Sequence, residues 1–178
     1  KMKICSILII CSILFYGCAL HNGDLGKNHT CPSLSIEMFH NDSFQSGLEE
    51  KVTNIVVEEF LADRRVSIVN DGDSELTIKG NIKSYARTIL TVDSNDNVSL
   101  YQLGISVDLN VINSQSSETI SHHPGIYMTT TYVPQRSNIE YETESEAQKR
   151  LLEDLAEEII YQLLNKDKKI IDFNDIEI

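Results

Sequence analysis

Lys79, Lys83 and Arg87 recur at every fourth position, with Tyr85 between the last two, in a chain whose 15 basic residues face 27 acidic ones. On an extended strand they share one parity and line one face, while Ile78, Gly80, Ile82 and Ala86 line the other. Three cations and an aromatic in a row could meet a phosphate or a carboxylate-rich partner. A solvated sheet face is the plainer alternative. Arg136, in the loop before the last helix, is a fourth candidate. Asp93, Asn95 and Asn97 have the one-three-five spacing of a calcium loop, but Val98 stands where such a loop needs glycine and Gly104 where it needs glutamate. They read as turn residues. His122 and His123 are adjacent, so on a strand they point to opposite faces and cannot share a metal. No glycine-rich phosphate loop, nucleophile elbow or metal-ligand cysteine spacing is found. No nucleophile, base and orienter can be assembled from these residues, so neither an enzyme nor a cofactor is expected.

A thiol offers the remaining chemistry. Lys1 and Lys3 start the chain, residues 4–15 are almost wholly apolar, and small Gly17 precedes Cys18. The run is shorter than the roughly 20 residues a membrane-spanning helix needs, and it fits the core of a secretory signal. A cysteine directly after the small residue resembles the lipobox of bacterial lipoproteins, whose cysteine is acylated on its thiol and becomes residue one after cleavage. The resemblance implies a signal peptide over residues 1–17 and a lipid at Cys18, N-acyl and S-diacylglycerol. Each buried methylene would add about 0.8 kcal/mol of anchoring. A cleaved signal with an incidental cysteine is the alternative.

Cleavage would remove Cys5 and Cys11 and leave Cys31 with no partner in the chain, so no disulfide framework is expected. The 161 residues from Cys18 onward suit one domain with a genuine core. Without Lys1 and Lys3 they carry 13 basic against 27 acidic side chains, a net of −14. That balance argues against nucleic acid as a partner, because nucleic-acid binding rests on phosphate neutralisation. It equally disfavours broad contact with an anionic membrane surface, so the lipid would hold the protein to its membrane.

Four segments follow: the leader, a polar lipidated tether over residues 18–32, a single domain over 33–164, and a charged tail over 165–178. Leu34, Ile36 and Met38 alternate with polar residues, which predicts a first strand. Ser46-Gly47-Leu48-Glu49 has the form of a capping box, and Leu48, Val52, Ile55, Val56 and Phe60 follow at helical spacing to about Asp63. A short strand over residues 66–69 ends at Asn-Asp-Gly-Asp. Leu76, Ile78 and Ile82 share a parity in a long strand that reverses at residues 94–97. Ile105, Val107, Leu109 and Val111 alternate in the return strand, and residues 119–133 form a last one, whose Pro124-Gly125 suggests a bulge or an edge position. A second box, Thr143-x-x-Glu146, opens a helix whose stripe is Ala147, Leu151, Leu155, Ile159 and Leu163, widened by Leu152, Ala156 and Ile160. One-sided strands with two amphipathic helices predict an α+β fold, a two-layer sandwich with both helices on one face of a mostly antiparallel mixed sheet.

With these elements placed, the chain resembles the lipopolysaccharide-assembly lipoproteins of the LptE family. The resemblance is carried by "GCALH" at the processing site, "GLEEKVTNIVVEEFLADRRVSIV" as first helix and following strand, "SELTIKGNIKSY" with "DSNDNVSLYQLGISVDLNV" as central hairpin, and "EAQKRLLEDLAEEIIYQLL" as closing helix. It implies a non-enzymatic protein, lipid-anchored on the periplasmic face of the outer membrane, that plugs and helps assemble a large LptD-like β-barrel. The two would move lipopolysaccharide to the cell surface. Ala19, rather than aspartate, agrees with outer-membrane sorting of lipoproteins. In that family the hairpin tip and the loop before the last helix are linked to lipopolysaccharide contact. Arg136 matches the loop, whereas the tip at residues 93–97 has no cation, so direct binding would rest on Arg136 with Lys79, Lys83 and Arg87. The alternative is a periplasm-facing outer-membrane lipoprotein that regulates cell-wall synthases or serves another secretion complex. "EEFLADRRVSIVNDGDSELTIKG" alone would fit that too.

Overall fold

A computed structural model describes residues 32–70, 72–134 and 142–166. Its elements run β1 (Ser33–Ile36), β2 (His40–Asn41), α1 (Leu48–Asp63), β3 (Ser67–Ile68), β4 (Leu76–Val92), β5 (Val98–Asn113), β6 (Thr119–Tyr132) and α2 (Glu144–Ile160), the last continued by a π-helical stretch, Tyr161–Lys166. The strands form one sheet in the order β3-β1-β4-β5-β6, with β2 also paired to β4. β1 and β2 run parallel to β4, and β3 parallel to β1. The β4–β5 and β5–β6 pairs are antiparallel hairpins. Both helices contribute to one core with the sheet, so the fold is the α+β sandwich expected from the pattern.

The helices form where apolar spacing gives them a face to bury. Leu48, Val52, Val56 and Phe60 of α1 are at most 1% exposed, whereas Ile55 is only partly covered. On α2 the whole predicted stripe is buried, together with Gln148. Thr143 caps α2 as its sequence suggests: its Oγ1 accepts from the Glu146 N–H at 3.2 Å, and its own N–H donates to the Glu146 carboxylate at 2.7 Å.

The first capping box does not form. The N-cap of α1 is Gly47, in a left-handed conformation (φ 77°) with no side-chain cap bond. Glu49 instead accepts from Asn41 Nδ2 at 2.7 Å. That hydrogen bond, after the one from its own backbone N–H, holds its carboxyl below the usual range.

A second departure concerns the first strand. Extended alternation breaks after Ile36, and Met38, expected beside Leu34 and Ile36, is 68% exposed while Phe39 is buried. The bend turns Phe39 over the middle of β4, where its ring lies against Gly80. A Cβ at Gly80 would fall inside that ring, so glycine is required there by packing. The Phe39 N–H is satisfied by Thr53 Oγ1 of α1 at 3.0 Å.

Candidate functional site: the open sheet face

Along β5, Leu103, Ile105, Val107, Leu109 and Val111 are fully buried under the helices, and their alternates point to the side that no described element covers. Register then assigns the open face. Lys79 pairs with Asn110 and Asn81 with Asp108 on one flank. His122 pairs with Asn110, Tyr127 with Ser106 and Thr129 with Gly104 on the other. This surface is polar and hydrogen-bonded within itself: His122 Nδ1 meets Asn110 Oδ1 at 2.7 Å, and the Asp108 carboxylate accepts from the Gly125 N–H at 2.7 Å. Gly125 sits at φ 66° where the β5–β6 register slips, which is the bulge expected at Pro124-Gly125. Tyr127, 61% exposed, lies across Gly104.

The basic row does not share one face. A register shift between Ile82 and Ser84 places an extra residue, Lys83, in β4 and reverses the parity beyond it. Lys79 keeps the open face. Tyr85 pairs with buried Ile105 and Arg87 with buried Leu103, so both lie on the helix side, while Ala86, expected inside, is exposed. Each cation also has a carboxylate partner from outside β4. Lys79 Nζ is 2.7 Å from Glu37, and Lys83 Nζ 2.8 Å from Asp42. The Lys83 ammonium, helped by Asn81 Nδ2, pulls the Asp42 carboxyl down to about 2.

Arg87 closes a compact cluster under the start of α2. Its guanidinium is 2.5 Å from Glu144 and sits 5.1 Å from the centre of the Tyr101 ring. Tyr101 stacks on Tyr132 at 5.3 Å, and Tyr132 donates its hydroxyl to Glu144 at 3.1 Å. The Glu144 hydrogen bond holds the Arg87 guanidinium still more firmly protonated, and burial raises the Tyr132 phenol. Next to it, Gln148 donates to Tyr85 at 3.1 Å and accepts from Lys51 at 2.7 Å. Arg150, which has no motif to announce it, grips both oxygens of Glu142 and reaches the Thr131 carbonyl and the Thr130 hydroxyl. These contacts fasten α2 to the end of β6.

The other candidates resolve simply. Asp93 accepts from the backbone N–H groups of Asn95 and Asn97 at 2.9 and 3.0 Å, as a turn carboxylate does. His123 turns to Ser121, on the opposite face from His122. Among the described residues, no three His, Cys, Asp or Glu side chains gather as metal ligands, and no helix is long and apolar enough to cross a membrane. Cys18, Cys31 and Arg136 lie outside the described residues.

Among the described residues, the two-layer α+β domain has one sheet face covered by helices and one polar face left open. The LptE family, described as "Lipopolysaccharide-assembly", matches residues 32–163, and the chain belongs to it. No curated protein sequence matches the chain. Similar solved structures include a neuraminyllactose-binding hemagglutinin homolog from Helicobacter pylori, at 11% identity and TM-score 0.53 over 84% of this chain and 92% of that one. Lipoprotein B from Nitrosomonas europaea is similar at 15% and 0.51, over 82% and 85%. Rare lipoprotein B from Shewanella oneidensis is similar at 17% and 0.50, over 75% and 95%. At these identities the likeness shows the fold alone.

Proposed function

We propose that this protein is an outer-membrane lipoprotein, anchored through an acylated Cys18 on the periplasmic face, which plugs and helps assemble an LptD-like β-barrel that exports lipopolysaccharide. The observation that carries the reading is the uncovered face built from Lys79, Asn81, Ser106, Asp108, Asn110 and His122 in a member of the lipopolysaccharide-assembly family. A plug in a wet lumen needs a polar exterior rich in hydrogen-bonding groups, unlike an obligate apolar interface. The acidic balance of the chain fits a lumen lined with basic groups.

Arg136, Lys79, Lys83 and Arg87 are the proposed contacts for lipopolysaccharide phosphates. A phosphate reaching Lys79 or Lys83 exchanges with Glu37 or Asp42 in exposed ion pairs, which contribute little, so the exchange costs little. Arg87 is tied into the Tyr101–Tyr132–Glu144 cluster and is the least available of the described three.

The test is affinity purification of the lipidated protein from detergent-solubilised outer membrane. A large β-barrel in equal amount supports the reading; cell-wall synthases or another secretion complex in its place overturn it. Cys18→Ala should leave the domain folded but release it to the soluble fraction, and undiminished membrane retention would remove the anchor.

A further inference from the structure

The loop between β2 and α1 carries Phe44 at 106% relative exposure, a whole aromatic ring in water. Isolated apolar side chains on a surface need no explanation, but this one sits on a loop that is locked. Asn41 Oδ1 accepts from the Ser43 N–H at 2.9 Å and from the Ser43 hydroxyl at 2.6 Å. Asn41 Nδ2 donates to the Gln45 carbonyl at 2.9 Å and to Glu49 at 2.7 Å. Ser43 Oγ accepts in turn from the Gln45 N–H at 3.3 Å. The same asparagine is held in the sheet through β2, and the next residue, Asp42, donates its N–H to the Ile82 carbonyl at 2.9 Å. Ring and support are thus decoupled: every polar group of Asn41 fixes the loop, and none covers Phe44. A rigid loop holding out an aromatic with two rotatable bonds loses little entropy on binding, which is the profile of an interface anchor.

Charge selects the partner. Around the loop stand Glu37, Asp42, Glu49 and Glu50, offset by Lys51 and by Lys79 and Lys83, which pair with Glu37 and Asp42, in a chain of net −12. That chain-wide charge disfavours broad contact with an anionic lipid surface. An apolar protein pocket with a basic or neutral polar rim would be matched. We propose that Phe44 is an anchor that inserts into such a pocket in the lumenal wall of the partner barrel. This rests on the plug reading.

The experiment places a photo-crosslinking benzoylphenylalanine at Phe44 and, separately, at the open-face position Thr129, in the full lipidated chain in cells. A crosslink from position 44 to the barrel supports the anchor. A crosslink to the barrel from position 129 but not from 44 overturns the anchor and leaves the plug standing. A lipid adduct alone at position 44 overturns it as well. No barrel adduct from either position overturns both readings. Phe44→Ala and Phe44→Asp, which remove no contact within the fold, should keep the wild-type melting temperature while weakening the barrel complex about tenfold or more, as expected for a hot spot. Unchanged complex stability in both variants would overturn the anchor.

Discussion

The two halves of β4 differ both in pattern and in what covers them. From Leu76 to Ile82 the strand lies under the helices, with Leu76, Ile78 and Ile82 fully buried. From Ser84 to Val92 no residue is buried, and Ile89, Leu90 and Val92 are 55%, 47% and 49% exposed. The alternation of Leu76, Thr77, Ile78 and Lys79 is lost in the second half, where Tyr85 adjoins Ala86 and Ile89 adjoins Leu90. The cover differs too. Helix α2 starts beside Arg87 and Tyr85, so beyond them the hairpin continues without a second layer among the described residues. Clean alternation and helix cover thus end at the same stretch of the strand, and the core ends with them.

The largest expected effect lies in the covered half. Phe39→Ala empties the space over Gly80 and should cost about 3–5 kcal/mol, measured by denaturant unfolding. Leu109→Ala should cost about 2–5 kcal/mol, whereas Leu90→Ala in the bare half should stay within about 0.5 kcal/mol. Equal costs at Leu109 and Leu90 would break the comparison. Thr143→Ala removes the cap where the cover begins and should cost about 1 kcal/mol, with the loss seen first as fraying in hydrogen exchange at the start of α2.

The smallest effect is electrostatic and sits at the junction of the halves. Because Lys83 depresses the Asp42 carboxyl to about 2 from its ordinary 3.8, the pair contributes stability above about pH 4 and loses it as the pH falls toward 2. Asp42→Asn should remove that component of the acid slope and leave the part that Glu49, Asp63 and Glu146 contribute. An unchanged slope in Asp42→Asn would show that the pair contributes nothing.

Much of the fold was legible because it follows from periodicity. The α2 stripe, its Thr143 box and the β5 alternation all appear where the pattern places them. The misreadings occur where one residue is gained or lost in register. A bulge at Lys83 is invisible to parity counting, yet it moves Tyr85 and Arg87 from the proposed cationic face to the helix side. The bend before Phe39 exchanges Met38 for Phe39 in the same way, and an isolated glycine in β4, Gly80, was the available hint of a close approach. Glu49 satisfied the spacing of a capping box, but Asn41, eight residues upstream, competes for its carboxylate. The Arg150 clamp and the Tyr101–Tyr132 stack join residues far apart in sequence, so no local signal could reveal them.

A partner seated on the open sheet face should shield Thr129, which is read out by thiol labelling of Thr129→Cys, in a Cys31→Ser background, with a membrane-impermeant maleimide. Thr129 is exposed on the open face. Labelling should be rapid in the purified protein and strongly suppressed in opened outer-membrane vesicles. Equally rapid labelling in both would contradict it, leaving that face as plain solvent-exposed sheet.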